Sequence, residues 1–421
     1  MKDETVVFVV EDATSYRCLE PIADRLAAEN EIRFLFLDAL FEPPNALLGE
    51  YKFPKTEVDI PKADVSYPYV EMTEFLKIDY HLFKHLQPHY LNTITQRFVT
   101  DLLYDRIYAF DDFFTQIDPS LVLSGVDHLP FLRHLIHEAR QRDVYTAVVQ
   151  QGVHRNHLDP EKVEQFLPHL AATYSPKYDW IEQIKRDVFY RFGPTTYTHP
   201  HADIIFTLGD FFTRHIRQLR GQYRPDCSEV ITTGTPEFDN PVSEYSPETE
   251  SVLFLGQQLF ERREWWEEDE QRFHPFLEKM NAETTFTYRP HPKSSTGKLE
   301  NLPDEISISE TPSLVNDIND HDVILTFFST AIYQAIIQGK VAGIVQLPWF
   351  PVDFSPFTHD HLIQCAEPTM DFQKSARTRS KRTQLDYLDE FCYMPALDDS
   401  VKRDTSLELI IDTLSTRISD L

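Results

Sequence analysis

Apolar residues in this chain fall into short unbroken runs, separated by longer stretches where they recur every three or four positions. Residues 6–10 are a continuous Val-Val-Phe-Val-Val run, as in strands buried on both faces. Segments 32–37, 121–124, 144–149, 204–208 and 229–233 read as further strands. Helical spacing predicts helices within 21–29, 129–141 and 211–219, a long helical stretch over 80–116 and a helical insertion at 158–191. Alternation of this kind predicts a parallel sheet covered by helices on both sides. The segment 236–250, rich in Pro, Ser, Asp and Glu, reads as a linker. A second alternation follows, with strands at 252–255, 284–288, 306–309, 323–326 and 342–347 and helices at 263–281 and 329–338. The expected fold class is α/β, with two Rossmann-like doubly wound domains facing a cleft. The first would span 1–242 and the second 250–400; residues 401–421 hold a final helix, 405–418, free to cross back to the first.

Charge narrows the partners. The 421 residues carry 68 acidic and 40 basic side chains, a net −28, and only 16 of the basic residues are lysines. Nucleic-acid binding rests on neutralising phosphates, so no nucleic-acid partner is expected. An acidic, lysine-poor surface fits a high-salt cytoplasm, where screening suppresses self-repulsion. The four cysteines, Cys18, Cys227, Cys365 and Cys392, form no C-x-x-C pair. No apolar run reaches membrane-spanning length and the first residues lack a signal-peptide pattern, so a cytoplasmic protein is expected. The basic run from Lys374 to Arg382 could support peripheral contact with the inner membrane face, or could be a solvated helix face.

The candidate chemistry concentrates at predicted strand ends. Tyr288-Arg289-Pro290-His291-Pro292-Lys293 follows one strand, and its prolines hold Arg289 and His291 in a rigid extended loop. Thr326-Phe327-Phe328-Ser329-Thr330-Ala331 joins another strand to a helix, placing two hydroxyls where free helix N–H groups favour an anion. The same pair could act simply as an N-cap. With 11 glycines and neither G-x-G-x-x-G nor a Walker run, a dinucleotide dehydrogenase or P-loop enzyme is not expected. His199, His201 and Asp203, like the helically spaced His81, His85 and His89, do not complete a ligand set, and no metal is expected.

Four segments resemble the GT-B glycosyltransferases that build surface polysaccharides: sialyl- and polysialyltransferases, capsule Kdo transferases and polyol-phosphate transferases. Val252-Leu253-Phe254-Leu255-Gly256-Gln257-Gln258 is similar to the opening strand of their second domain. Arg289-Pro290-His291-Pro292 is similar to their His-Pro loop, and Phe328-Ser329-Thr330-Ala331 to their Ser/Thr pair. Thr233-Gly234-Thr235-Pro236-Glu237-Phe238-Asp239 is similar to the segment that closes many of their first domains. The resemblance covers mainly residues 203–347. It implies a nucleotide-sugar donor, CMP- or UDP-activated, and a glycan or lipid-linked acceptor. Arg289, His291, Ser329 and Thr330 would bind donor phosphate, and Gly256 and Gln257 the nucleotide. No cofactor or metal is implied.

One departure stands out. The strand end that carries an acidic pair or a His in those families reads Gln150-Gln151-Gly152-Val153-His154 here, and glutamine takes no proton. The base would then be His154, Asp12 (or its neighbour Glu11) or Asp127. A hydrolysing nucleotide-sugar epimerase, or a degenerate non-catalytic partner, remains compatible with the same pattern.

Overall fold

A computed structural model of the chain describes residues 4–11, 13–37, 65–75, 108–126, 130–152, 202–223, 229–239, 243–245, 250–257, 267–291, 302–303, 305–327, 329–345, 363–364, 381–393, 395 and 404–419. These form two compact units. The described residues through Asp239, with those from Asp404 on, make the first; those from Ser243 to Pro395 make the second.

The first unit is built on seven parallel strands: β1 (Glu4–Val10), β2 (Asn30–Phe36), β3 (Tyr69–Glu71), β4 (Pro119–Ser124), β5 (Tyr145–Val149), β6 (Ile204–Thr207) and β7 (Glu229–Thr232), in the order β3-β2-β1-β4-β5-β6-β7. Val6, Phe8 and Val10 point to one core and Val7 and Val9 to another, which is why β1 is apolar at every one of these positions. Helix α1 (Ala13–Leu26) covers one face. It begins eight residues before the 21–29 segment, because Ser15, Cys18, Leu19, Ile22, Ala23 and Leu26 form one buried stripe that runs through Pro21. The missing proline N–H leaves one helical bond unmade without ending the helix. Helices α2 (Phe110–Ile117) and α3 (Pro130–Arg140) supply Phe110, Phe113, Phe131 and Leu135 to the other face, and α4 (Asp210–Tyr223) joins β6 to β7. Most of the predicted stretch 80–116 and all of 158–191 lie outside the described residues.

The second unit has six parallel strands: β8 (Ser251–Leu255), β9 (Thr285–Arg289), β10 (Ser307–Ile308), β11 (Val323–Thr326), β12 (Val341–Ile344) and β13 (Ile363–Gln364), in the order β10-β9-β8-β11-β12-β13. Helices α5 (Glu267–Glu283), α6 (Leu314–Asn319), α7 (Ala331–Ile337) and α8 (Lys381–Phe391) accompany them. Phe254, Phe273, Phe276 and Phe327 form an aromatic cluster in its core, with Phe254 and Phe327 centroids 5.0 Å apart in an edge-to-face arrangement. Both sheets use one device at a strand's amino end. Asp203 Oδ2 accepts from the N–H and hydroxyl of Thr146 at 2.9 and 2.7 Å, and Asp322 Oδ2 from those of Ser251, both at 2.9 Å. Each carboxylate pins the register of a pair of strands.

One boundary differs from the sequence reading. Pro236–Phe238 is not the start of a linker but a buried turn of the first unit, with Phe238 in the interior. Asp239 then caps the final helix α9 (Ser406–Ser419), accepting from Ser406 N–H at 2.8 Å and Leu407 N–H at 3.1 Å. A reciprocal box reinforces that start: Glu408 N–H donates to Thr405 Oγ1 at 3.1 Å, and Thr405 N–H to Glu408 Oε2 at 2.8 Å. Ile410 and Leu414 of α9 join the core that contains Leu19 and Ile22 of α1. Among the described residues, no helix is long and apolar enough to cross a membrane.

Candidate functional site

An open α/β sheet binds ligands outside the carboxyl ends of its strands, where the strand order reverses. In the second unit that switch point lies between β8 and β11: β9 and β10 extend to one side of β8, and β11 to β13 to the other. The residues flanking it are Gly256 and Gln257 after β8, and Phe327, Ser329 and Thr330 after β11. His291 follows β9, the neighbour of β8 on the other side. The sequence-derived phosphate and nucleotide residues therefore gather at one sheet edge, although 38 positions separate Ser329 from His291 (329 minus 291).

The local geometry is tight. Gly256 N–H donates to the Arg289 carbonyl at 2.8 Å, continuing the ladder past the last strand residue. Tyr288 stacks on Phe254, with centroids 5.8 Å apart and rings 14° from parallel, and carries its hydroxyl over Gly256. A Cβ at position 256 would overlap that hydroxyl, so only glycine fits. Across the switch point, Thr326 Oγ1 donates to the Leu255 carbonyl at 3.4 Å, joining the ends of β11 and β8. Ser329 Oγ accepts from Ala331 N–H at 3.2 Å at the start of α7. Thr330, the residue before α7, has helical φ −60° and ψ −17° and makes no side-chain cap bond. The helix thus begins two residues later than predicted. Ser329, Thr330 and His291 are each partly exposed.

Arg289 departs from its expected role. Its guanidinium lies 2.6 Å from Asp317 Oδ2 and donates to the Thr311 carbonyl at 2.6 Å and the Pro312 carbonyl at 3.3 Å. The side chains of Arg289 and Asp317 are 12% and 4% exposed, so the pair is largely out of water. The cation expected to meet phosphate is neutralised by a carboxylate of its own unit. The sequence offered no cue to this, because Asp317 lies 28 residues downstream on a short helix that the apolar pattern did not mark.

The first unit has its own switch point, between β1 and β4. Glu11 follows β1, Gly125 follows β4, and Gln150 and Gln151 follow β5. Gln150 is structural: its Nε2 donates to the Gly152 carbonyl at 2.8 Å, and its Oε1 accepts from Leu208 N–H at 3.1 Å, tying β5 to the end of β6. Gln151 reaches the other way. Its Nε2 donates to Glu11 Oε1 at 2.8 Å and Ser15 Oγ at 3.1 Å, passing over Gly125, where a Cβ would strike the amide. Glu11 is thereby held in place at the switch point. Asp12, Asp127 and His154 lie outside the described residues, as do Cys227, Cys365 and His199 to His201; so does the basic run from Lys374, except Lys381 and Arg382, which open α8. Among the described residues no cluster could hold a metal ion. Cys18 is buried beside Thr235, and burial pushes its thiol up to about 12, which leaves it protonated and inert.

No protein-family model matches this chain, and no curated protein matches its sequence. Solved structures match over its whole length. A Listeria monocytogenes protein assigned as a UDP-N-acetylglucosamine 2-epimerase aligns with 100% of this chain and 98% of its own at 10% identity, with TM-score 0.52. The glycosyltransferase SnogD from Streptomyces nogalater aligns with 99% and 100% at 12% identity, with TM-score 0.51. MnaA of S. aureus, solved with UDP, aligns with 99% and 98% at 13% identity, with TM-score 0.51. At these identities the likeness is one of fold: two Rossmann-like units in one chain.

Proposed function

We propose that this chain is a glycosyltransferase that moves a sugar from a nucleotide-activated donor to the hydroxyl of a surface glycan or glycolipid. The observation that carries the reading is the carboxyl edge of the second sheet, where Gly256 and Gln257, His291, and Ser329 and Thr330 follow the adjacent strands β8, β9 and β11. A phosphate needs donors without bulk. The imidazole adds a charge-assisted bond when protonated, and the two hydroxyls donate without adding charge. Such donors stabilise a nucleotide most as it leaves and its charge grows. The donor is CMP- or UDP-activated in this reading, and no metal or other cofactor is invoked.

In the first unit, Glu11 and Gln151 suit a hydroxyl-bearing acceptor. A carboxylate accepts from a hydroxyl, and the amide and the Ser15 hydroxyl beside it are the polar, uncharged groups a sugar calls for. Asp12, Asp127 and His154 remain candidates for the base. A panel of CMP, CDP, UDP, GDP and ADP tests the donor class by thermal shift, since a ligand that binds only the native state raises the melting temperature. A rise with UDP or CMP and none with ADP supports the reading; no rise with any of them defeats it. Because an epimerase shares the fold, product analysis with donor alone separates the two. An altered sugar released without acceptor would favour epimerisation.

A further inference from the structure

We infer that Arg289 and Asp317 form a positioning pair for the donor site: a buried clamp that sets His291, rather than a phosphate ligand and its bystander. The inference rests on the donor-site reading above. Arg289 is the last residue of β9, and only Pro290 separates it from His291. Proline fixes the φ between them, so anchoring Arg289 narrows the positions open to His291.

The clamp is built from three directions. Asp317 Oδ2 takes the guanidinium at 2.6 Å and also accepts from Ser309 Oγ at 2.5 Å. The guanidinium donates to the carbonyls of Thr311 and Pro312, which draws the loop between β10 and α6 onto the end of β9. Behind Asp317, His321 Nδ1 lies 2.7 Å from its carbonyl oxygen and 3.8 Å from Oδ1. Ser313 caps α6 by accepting from Asn316 N–H at 3.3 Å, so the helix that presents Asp317 is itself anchored. Ser309, Thr311, Pro312 and Asp317 thus converge on one guanidinium at the root of the His-Pro loop. These bonds use Nη1 and one donor of Nη2, so the guanidinium is held from within its own unit.

The distinction has an experimental signature. If Arg289 were a phosphate ligand restrained by Asp317, removing the carboxylate charge would free it and strengthen binding. If the pair positions His291, the same change loosens the loop and weakens binding. Isothermal titration of UDP and of CMP into the full chain should therefore compare wild type, Asp317→Asn and the paired apolar variant Arg289→Met/Asp317→Leu. Replacing a buried ion pair by apolar residues is often neutral or stabilising, so the paired variant separates positioning from folding. The expected result is a melting temperature near wild type in the paired variant, with nucleotide affinity lowered about tenfold to a hundredfold in both, the size of one lost charge-assisted bond. Unchanged or tighter binding by Asp317→Asn, with wild-type binding intact, overturns the positioning role alone. If the paired variant fails to fold, the Asp317→Asn comparison decides. A wild-type chain that binds neither nucleotide overturns the donor-site reading, and this inference with it.

Discussion

The amide of Gln151 donates to the carboxylate of Glu11 at 2.8 Å across the bare Cα of Gly125. Three strand ends, those of β1, β4 and β5, are joined by that one side chain. Gly125→Ala should therefore displace Gln151 and cost about 1–3 kcal/mol, as overpacking of a tight site does. Urea denaturation measures it. Gly152→Ala is the control, because a Cβ there meets nothing within 4 Å. Equal stability of the two variants would show that the bridge does not constrain the site.

Why did the sequence reveal some of this and not the rest? The central strands were legible because they are buried on both faces and must be apolar at consecutive positions, as Val6 to Val10 are, whereas the partly exposed edge strand β3 left no such run. Two sheets and their parallel sense followed from alternation. The loops at the carboxyl ends of β8, β9 and β11 stood out because glycine, proline and hydroxyl residues cluster after those strands. What stayed hidden were partnerships between distant positions. Gln151 and Glu11 are 140 residues apart, Asp239 and Ser406 are 167, and neither contact leaves a periodic trace. Asp239 looked like linker composition because its partner, a helix N-terminus, arrives from the far end of the chain. Arg289 looked available for the same reason, since a cation's neutralising carboxylate cannot be read from spacing.

The final helix should be essential to the first unit. Thr405→Ala removes the hydroxyl of the capping box and should cost about 0.5–2 kcal/mol. Leu414→Ala opens a cavity against α1 and should cost about 2–5 kcal/mol. Chemical denaturation of the two variants checks the order; a Leu414 variant as stable as wild type would contradict the packing of α9.

Acid should stabilise this protein before it unfolds it. Burial raises the carboxyl of Glu237, against a partial offset from Arg17, and that of Asp239, against its bonds to the α9 amides. A carboxyl whose folded pKa exceeds its unfolded value binds protons more tightly in the native state. Its contribution is full below the unfolded pKa and is lost as pH rises through the folded one. The melting temperature should therefore climb as pH falls from neutral toward about 5. A Glu237→Gln/Asp239→Asn variant should show a flatter climb. A profile identical to wild type would remove these two groups from the explanation.

Salt should act in the same direction. With a net charge of −28, unpaired carboxylates repel one another at low ionic strength, and screening relieves that repulsion. The melting temperature should rise steadily from low salt into molar KCl. No change across that range would sever the acidic surface from any saline adaptation.

The central claim is that the carboxyl edge of the second sheet binds the phosphate of a nucleotide through His291. Titration calorimetry of UDP into wild type and His291→Ala tests it most directly, with circular dichroism to confirm that both are folded. The account predicts saturable binding by wild type and an affinity about tenfold to a hundredfold weaker in the variant, since a charge-assisted bond contributes about 1.5–3 kcal/mol. Equal affinities in the two proteins, or no binding by wild type to UDP or CMP, would contradict it.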